Sequence, residues 1–179
     1  RIVRGEGSKL FDADGHTYVN LLGEYTAGVY GASNGEIRKA LIEAIDGGMN
    51  YGAHNRYELE LAEIVCKRFP AIERVRFTNS GTEANLMAIT TATQFTGRSK
   101  LLVMLGGYHG GVLYFASGPA PWNAPYDFVL APFNDLARTV ELIERHGAEL
   151  AAVIMEPMLG SGGCVPATAE YVQGVFAAA

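Results

Sequence analysis

From Val75 onward, short apolar runs alternate with helical runs, and this alternation constrains the fold more than any other feature of the chain. Leu101–Leu105 and Ala151–Met155 are unbroken apolar stretches, as expected of strands buried on both faces. Strands are predicted at about 75–78, 101–105, 127–131 and 151–155. Helices are predicted at about 82–95 and 134–146, the second capped by Asn134, and Thr168–Ala179 begins a third. Strands alternating with helices give an α/β fold with a mainly parallel sheet and flanking helices.

The first part of the chain is patterned differently. Ile2–Asn20 breaks into strand-like pieces at Gly5-Glu6-Gly7 and Asp12-Ala13-Asp14-Gly15, which predicts a small β-meander. Ser33-Asn34-Gly35-Glu36 reads as a capping box opening a helix. Its stripe is Ile37, Ala40, Leu41, Ala44 and Ile45, and Gly47-Gly48 ends it. A second helix is expected from about Arg56 to Phe69, with Leu59, Ala62, Val65, Cys66 and Phe69 inward and Pro70 as its stop. Two regions follow: 1–50, with the meander and first helix, and 51–179, the first part of a larger α/β domain whose sheet is incomplete here.

Bulk properties exclude several classes. With 49% hydrophobic and 18% charged residues, the chain is globular, not disordered. A net charge of −5 without a basic cluster argues against nucleic acid. No apolar run approaches the length of a membrane span. Cys66 and Cys164 make no disulfide framework, which fits a reducing cytosol. His16, His54, His109 and His146 lack metal-ligand spacing, so no metal is expected. Gly110–Pro125 carries Pro119, Pro121, Pro125 and Trp122. It is read either as a mobile lid or as a surface loop with one packed aromatic.

Three short motifs carry chemistry. Thr78–Asn85 joins a strand to a helix through a small, hydroxyl-rich turn. Helix-start amides lack intrahelical partners and favour an anion; Ser80 and Thr82 add hydroxyls, and Gly81 permits close approach. The same residues, Ser80-Gly81-Thr82-Glu83, also satisfy a plain capping box. Gly106-Gly107-Tyr108-His109-Gly110-Gly111 follows a buried strand and offers Tyr108 as a flat surface for a planar ring, or simply as a packed tyrosine. Glu156 ends the strand 151–155 before Pro157, where open α/β sheets place ligands; many such glutamates are only solvated.

In order, Ser80-Gly81-Thr82-Glu83-Ala84, Gly107-Tyr108-His109-Gly110 and Glu156-Pro157 with Gly160 resemble the class III pyridoxal-phosphate aminotransferases. Arg4–Gly7 and Leu10–Gly15 are similar to the opening meander of that family. Glu24–Gly31 and Arg76–Ala88 look most like the members acting on aromatic β-amino acids, near the glutamate-1-semialdehyde aminomutases. The resemblance implies a fold type I domain. It also implies pyridoxal 5'-phosphate held by Ser80, Gly81 and Thr82, with Tyr108 stacked on its ring and His109 alongside. Glu156 would lie near the cofactor's phenolic edge as a positioning residue, and Tyr25 would face substrate. The family's aspartate for the pyridine nitrogen and its Schiff-base lysine would follow residue 179. None of Lys9, Lys39, Lys67 and Lys100 fits that lysine's pattern, so no catalytic residue is expected in this stretch. A homodimer with interfacial sites is also implied, with Asn50–Asn55 near the partner's site.

The function this points to is exchange of an amino group between an amino acid, an aromatic β-amino acid by preference, and a 2-oxo acid. Two alternatives stand beside it. One is a glutamate-1-semialdehyde aminomutase, although those relatives carry His-Ala-Asp where this chain has Gly111-Val112-Leu113. The other is a non-catalytic module that holds a phosphorylated ligand. A nucleotide-binding enzyme lacks support, because neither Gly-x-Gly-x-x-Gly after the first strand nor a Walker lysine is present.

Overall fold

A computed structural model describes residues 1–179, which form two compact units, Arg1–Glu73 and Arg74–Ala179. The first unit opens with the predicted meander. Strands β1 (Ile2–Glu6), β2 (Lys9–Asp12) and β3 (Thr17–Val19) pair antiparallel in the order β1-β2-β3. Asp12 closes the second turn. Its carboxylate accepts from the amides of Asp14 and His16 and from the Tyr18 hydroxyl at 2.8–3.0 Å. The Tyr18 hydrogen bond foremost holds that carboxyl below its ordinary range.

Helices α1 (Gly35–Gly47) and α2 (Arg56–Arg68) follow. The cap of α1 is Asn34 rather than Ser33: the Asn34 side chain accepts from Glu36 and Ile37 N–H. Ser33 instead has φ +60° and donates its hydroxyl to Gly5 C=O. Asn55 caps α2. No residue of either helix is buried, and Leu59 and Phe69, expected inward, are exposed.

The second unit is built on a parallel sheet of order β5-β4-β6, with β4 (Lys100–Met104) between β5 (Asp127–Ala131) and β6 (Leu150–Ile154). Alternate residues of β4 serve two cores, as strand geometry requires. Leu102 and Met104 pack with residues of α4 (Leu136–His146) and α5 (Ala169–Ala178), among them Leu142, Ile143, Tyr171 and Val175. Leu101 and Val103 pack with Ile89 of α3 (Gly81–Thr96) and with Leu113 and Phe115. A short hairpin, β7 (Met158–Leu159) and β8 (Val165–Pro166), precedes α5.

Three further expectations are corrected. Residues 75–78 form no strand, because no segment of the chain pairs with them. Asp135, not Asn134, caps α4, accepting from Arg138 N–H. Asn134 has φ +62° and ties Pro166 C=O to Thr168 N–H. The segment after Gly110 is no free lid: Leu113 and Phe115 are part of the core, while Trp122 is exposed.

Candidate functional site

The start of α3 is organised by its own side chains. Ser80 is extended, and its hydroxyl accepts from Glu83 N–H at 3.2 Å. Glu83 reaches back to Asn79 N–H at 2.7 Å, one residue earlier than the usual box. The amides of Gly81 and Thr82 have no intrahelical partner. A Cβ added at Gly81 would meet nothing within 4 Å, so the helix start opens onto free space.

The aromatic loop folds back on itself after β4. His109 N–H donates to Leu113 C=O and Phe115 N–H to Gly107 C=O, at 2.8 and 2.9 Å. Three side chains fasten it from outside. Gly111 N–H donates to the Thr82 hydroxyl at 3.1 Å. The Asn85 amide donates to His109 C=O at 2.7 Å. The Glu156 carboxylate accepts Tyr108 N–H at 2.8 Å with one oxygen and Gly160 N–H at 3.0 Å with the other. Gly110 makes the close approach possible. It has φ +134°, and a Cβ there would lie 2.5 Å from the Thr82 hydroxyl oxygen and 2.8 Å from its Cα.

Within this arrangement Tyr108 is half-exposed, and its ring and that of Tyr114 form an edge-to-face pair with centroids 5.7 Å apart. His109 is buried, and its Nε2 has no hydrogen-bond partner. Burial pushes the imidazole below its ordinary range, and the Glu156 carboxylate partly offsets this. His109 is therefore the neutral form near pH 7.

The structure thus brings Thr82, Tyr108, His109 and Glu156 into one cluster, with Ser80 and Gly81 at its edge. The cluster suits the pyridoxal phosphate implied by the sequence: free helix-start amides for a phosphate, a half-open tyrosine for a planar ring, and an unpartnered buried nitrogen. Thr82 already uses its oxygen as an acceptor, which leaves its proton to donate. Nothing in the local pattern of Asn85 marks it, because its partner is a remote backbone carbonyl. Tyr25 lies in the first unit, in the turn Gly23–Thr26, with φ +54° and its side chain exposed. Lys100 pairs with Glu149 at 3.0 Å, at the end of β4 away from the aromatic loop. A groove of about 330 Å³ runs beside the start of α3, lined by Arg76, Phe77, Asn79, Glu83 and Met87; Tyr108 and His109 are not part of it.

Comparison with known proteins gives close relatives. A β-phenylalanine transaminase of Variovorax paradoxus is 55% identical over 174 residues, covering 97% of this chain and 40% of that protein. The crystal structure of a β-phenylalanine aminotransferase from the same organism superposes with a TM-score of 0.95 at 54% identity, over 99% of this chain and 41% of that one. A glutamate-1-semialdehyde 2,1-aminomutase of Dichelobacter nodosus is 40% identical over 186 residues, covering 96% of this chain and 43% of that protein. A structure of a transaminase with PLP bound has a TM-score of 0.90 at 28% identity, over 99% of this chain and 45% of that one. The chain therefore spans about two fifths of the length of the relatives it matches. Aminotransferase class-III matches residues 1–179, and the chain belongs to that family.

Proposed function

We propose that the full-length protein transfers an amino group between an aromatic β-amino acid and a 2-oxo acid, using pyridoxal phosphate. The family uses this cofactor. The observation that carries the proposal is the aromatic loop fastened between the start of α3 and Glu156. When bound, the cofactor supplies an electron sink for the charge left as a proton leaves the amine-bearing carbon. In this proposal the Gly81 and Thr82 amides and the Ser80 and Thr82 hydroxyls receive the phosphate. Tyr108 presents its face to the pyridine ring, and neutral His109 lines the pocket without adding charge. Glu156 fixes the backbone of Tyr108 and acts through it. Tyr25 contacts substrate. The protein works as a cytoplasmic homodimer, with Asn50–Asn55 near the partner's site.

The 55% identity to a β-phenylalanine transaminase supports the aromatic β-amino acid over glutamate-1-semialdehyde, as does Gly111-Val112-Leu113 after the aromatic loop. The test is borohydride reduction of the full-length holoprotein with peptide mapping, beside an assay of β-phenylalanine with a 2-oxo acid. A pyridoxyl adduct on a lysine outside residues 1–179, with turnover of the β-amino acid, is expected. An adduct on Lys9, Lys39, Lys67 or Lys100 overturns the assignment. Turnover of glutamate-1-semialdehyde alone replaces the substrate.

A further inference from the structure

We infer that Tyr114 and Asn123 are positioning residues that fix the ring of Tyr108, so that the segment 112–124 is a fixed brace for the site. Asn123 grips the main chain of Tyr114 on both sides. Its amide oxygen accepts Tyr114 N–H at 2.8 Å, and its amide nitrogen donates to Tyr114 C=O at 2.9 Å. Ala124 N–H donates to Val112 C=O at 2.9 Å and closes the same loop.

The residues flanking Tyr114 are anchored in the core. Leu113 and Phe115 are 1% and 0% exposed. In an extended segment neighbouring side chains point to opposite sides, so sinking Leu113 and Phe115 turns Tyr114 away from the core. There it meets Tyr108, its partner in an isolated antiparallel bridge. The rings are 5.7 Å apart at 72°, a favourable edge-to-face contact.

Glu156 holds only the N–H of Tyr108 and leaves its side-chain torsions free. Of the aromatic rings in the chain, only that of Tyr114 packs on Tyr108. The packing of the Tyr114 ring against Tyr108 therefore supplies the orientation that the Glu156 hydrogen bond cannot. The Asn123 side chain bonds the main chain of Tyr114 and acts through it. The inference rests on the proposal that Tyr108 stacks on the cofactor.

The experiment uses the full-length protein loaded with pyridoxal phosphate. It compares wild type with Asn123→Ala, Tyr114→Leu and Tyr114→Phe. The readouts are visible circular dichroism of the bound cofactor, cofactor dissociation, and cofactor-free melting. Asn123→Ala and Tyr114→Leu are expected to lower the visible dichroism and to raise the dissociation constant roughly two- to tenfold. Tyr114→Phe, which keeps the aromatic ring, is expected to recover most of the wild-type signal. Tyr114→Leu leaves the Asn123 side chain in place and carries the test if Asn123→Ala fails to fold. A wild-type cofactor signature in Tyr114→Leu, whatever its melting temperature, overturns the inference. So does a Tyr114→Phe signature as weak as that of Tyr114→Leu. Wild type that takes up no pyridoxal phosphate sinks the aminotransferase assignment itself, which separates the two failures.

Discussion

Thr82 carries two duties on one hydroxyl: it accepts Gly111 N–H and keeps a proton to donate. Thr82→Ala should therefore weaken cofactor binding in the full-length protein by about tenfold or more, the worth of one hydrogen bond to a charged acceptor. It should also loosen the aromatic loop. Thr82→Ser, which keeps the hydroxyl, should lose much less. Ser80→Ala removes the cap on Glu83 N–H and should cost about 1 kcal/mol of stability. Cofactor titration beside cofactor-free melting separates these effects, and unchanged affinity in both alanine variants would remove the phosphate from this helix start. His109 gives a pH prediction. Burial lowers its folded-state value below the ordinary 6.5, so the unfolded chain binds more protons just below that pH. Stability from a neutral His109 is thus complete above about pH 6.5 and is lost as pH falls through the folded value. Melting of wild type against His109→Gln from neutral to mildly acidic pH checks this. Wild type should lose more stability than the variant as pH drops, and parallel curves would contradict the buried neutral imidazole.

The contact between α3 and the aromatic loop depends on Gly110. Gly110→Ala should force the loop off Thr82, costing roughly 1–3 kcal/mol and weakening cofactor binding. Gly111→Ala is the control, because a Cβ there meets nothing within 4 Å. Equal melting and equal affinity for the two variants would show that the loop yields without cost. Elements of this kind differ in how well the sequence announces them. Strands β4, β5 and β6 follow apolar runs to within one residue, because burial on both faces leaves a local signature. Val75-Arg76-Phe77-Thr78 also has a strand-like local pattern, yet a strand needs a neighbour, and pairing is non-local. The caps at Asn34 and Asp135 each lie one residue beyond the position the sequence suggests, because two adjacent side chains can cap and backbone torsion decides between them. Leu113 and Phe115 were hidden by glycines and prolines that make the whole segment look like surface. Ser80, Thr82, Tyr108, His109 and Glu156 were legible as residue types in order. Asn85 and Asn123 were not, since an amide that grips distant backbone leaves no pattern in its own neighbourhood.

At the scale of the molecule, α1 keeps Ile37, Leu41 and Ile45 on an apolar stripe, each 43–58% exposed. Sedimentation of the full-length protein should give a dimer, as proposed above, and an active monomer would refute it. The second unit shows a different kind of order. Its site is fastened by contacts spanning 24 residues at Asn85–His109, 29 at Thr82–Gly111 and 48 at Tyr108–Glu156. Closing a contact costs more chain entropy the longer its separation. Chains also begin to fold as they are synthesised, from the N-terminus. On a growing chain, Thr82 and Asn85 are therefore present to hold the aromatic loop while residue 156 has yet to be added. The N–H of Tyr108 waits for the strand that brings Glu156. Fastening of Tyr108 to Glu156 would then await the docking of β6 on β4, and a chain stalled before that strand would carry the loop half-fastened.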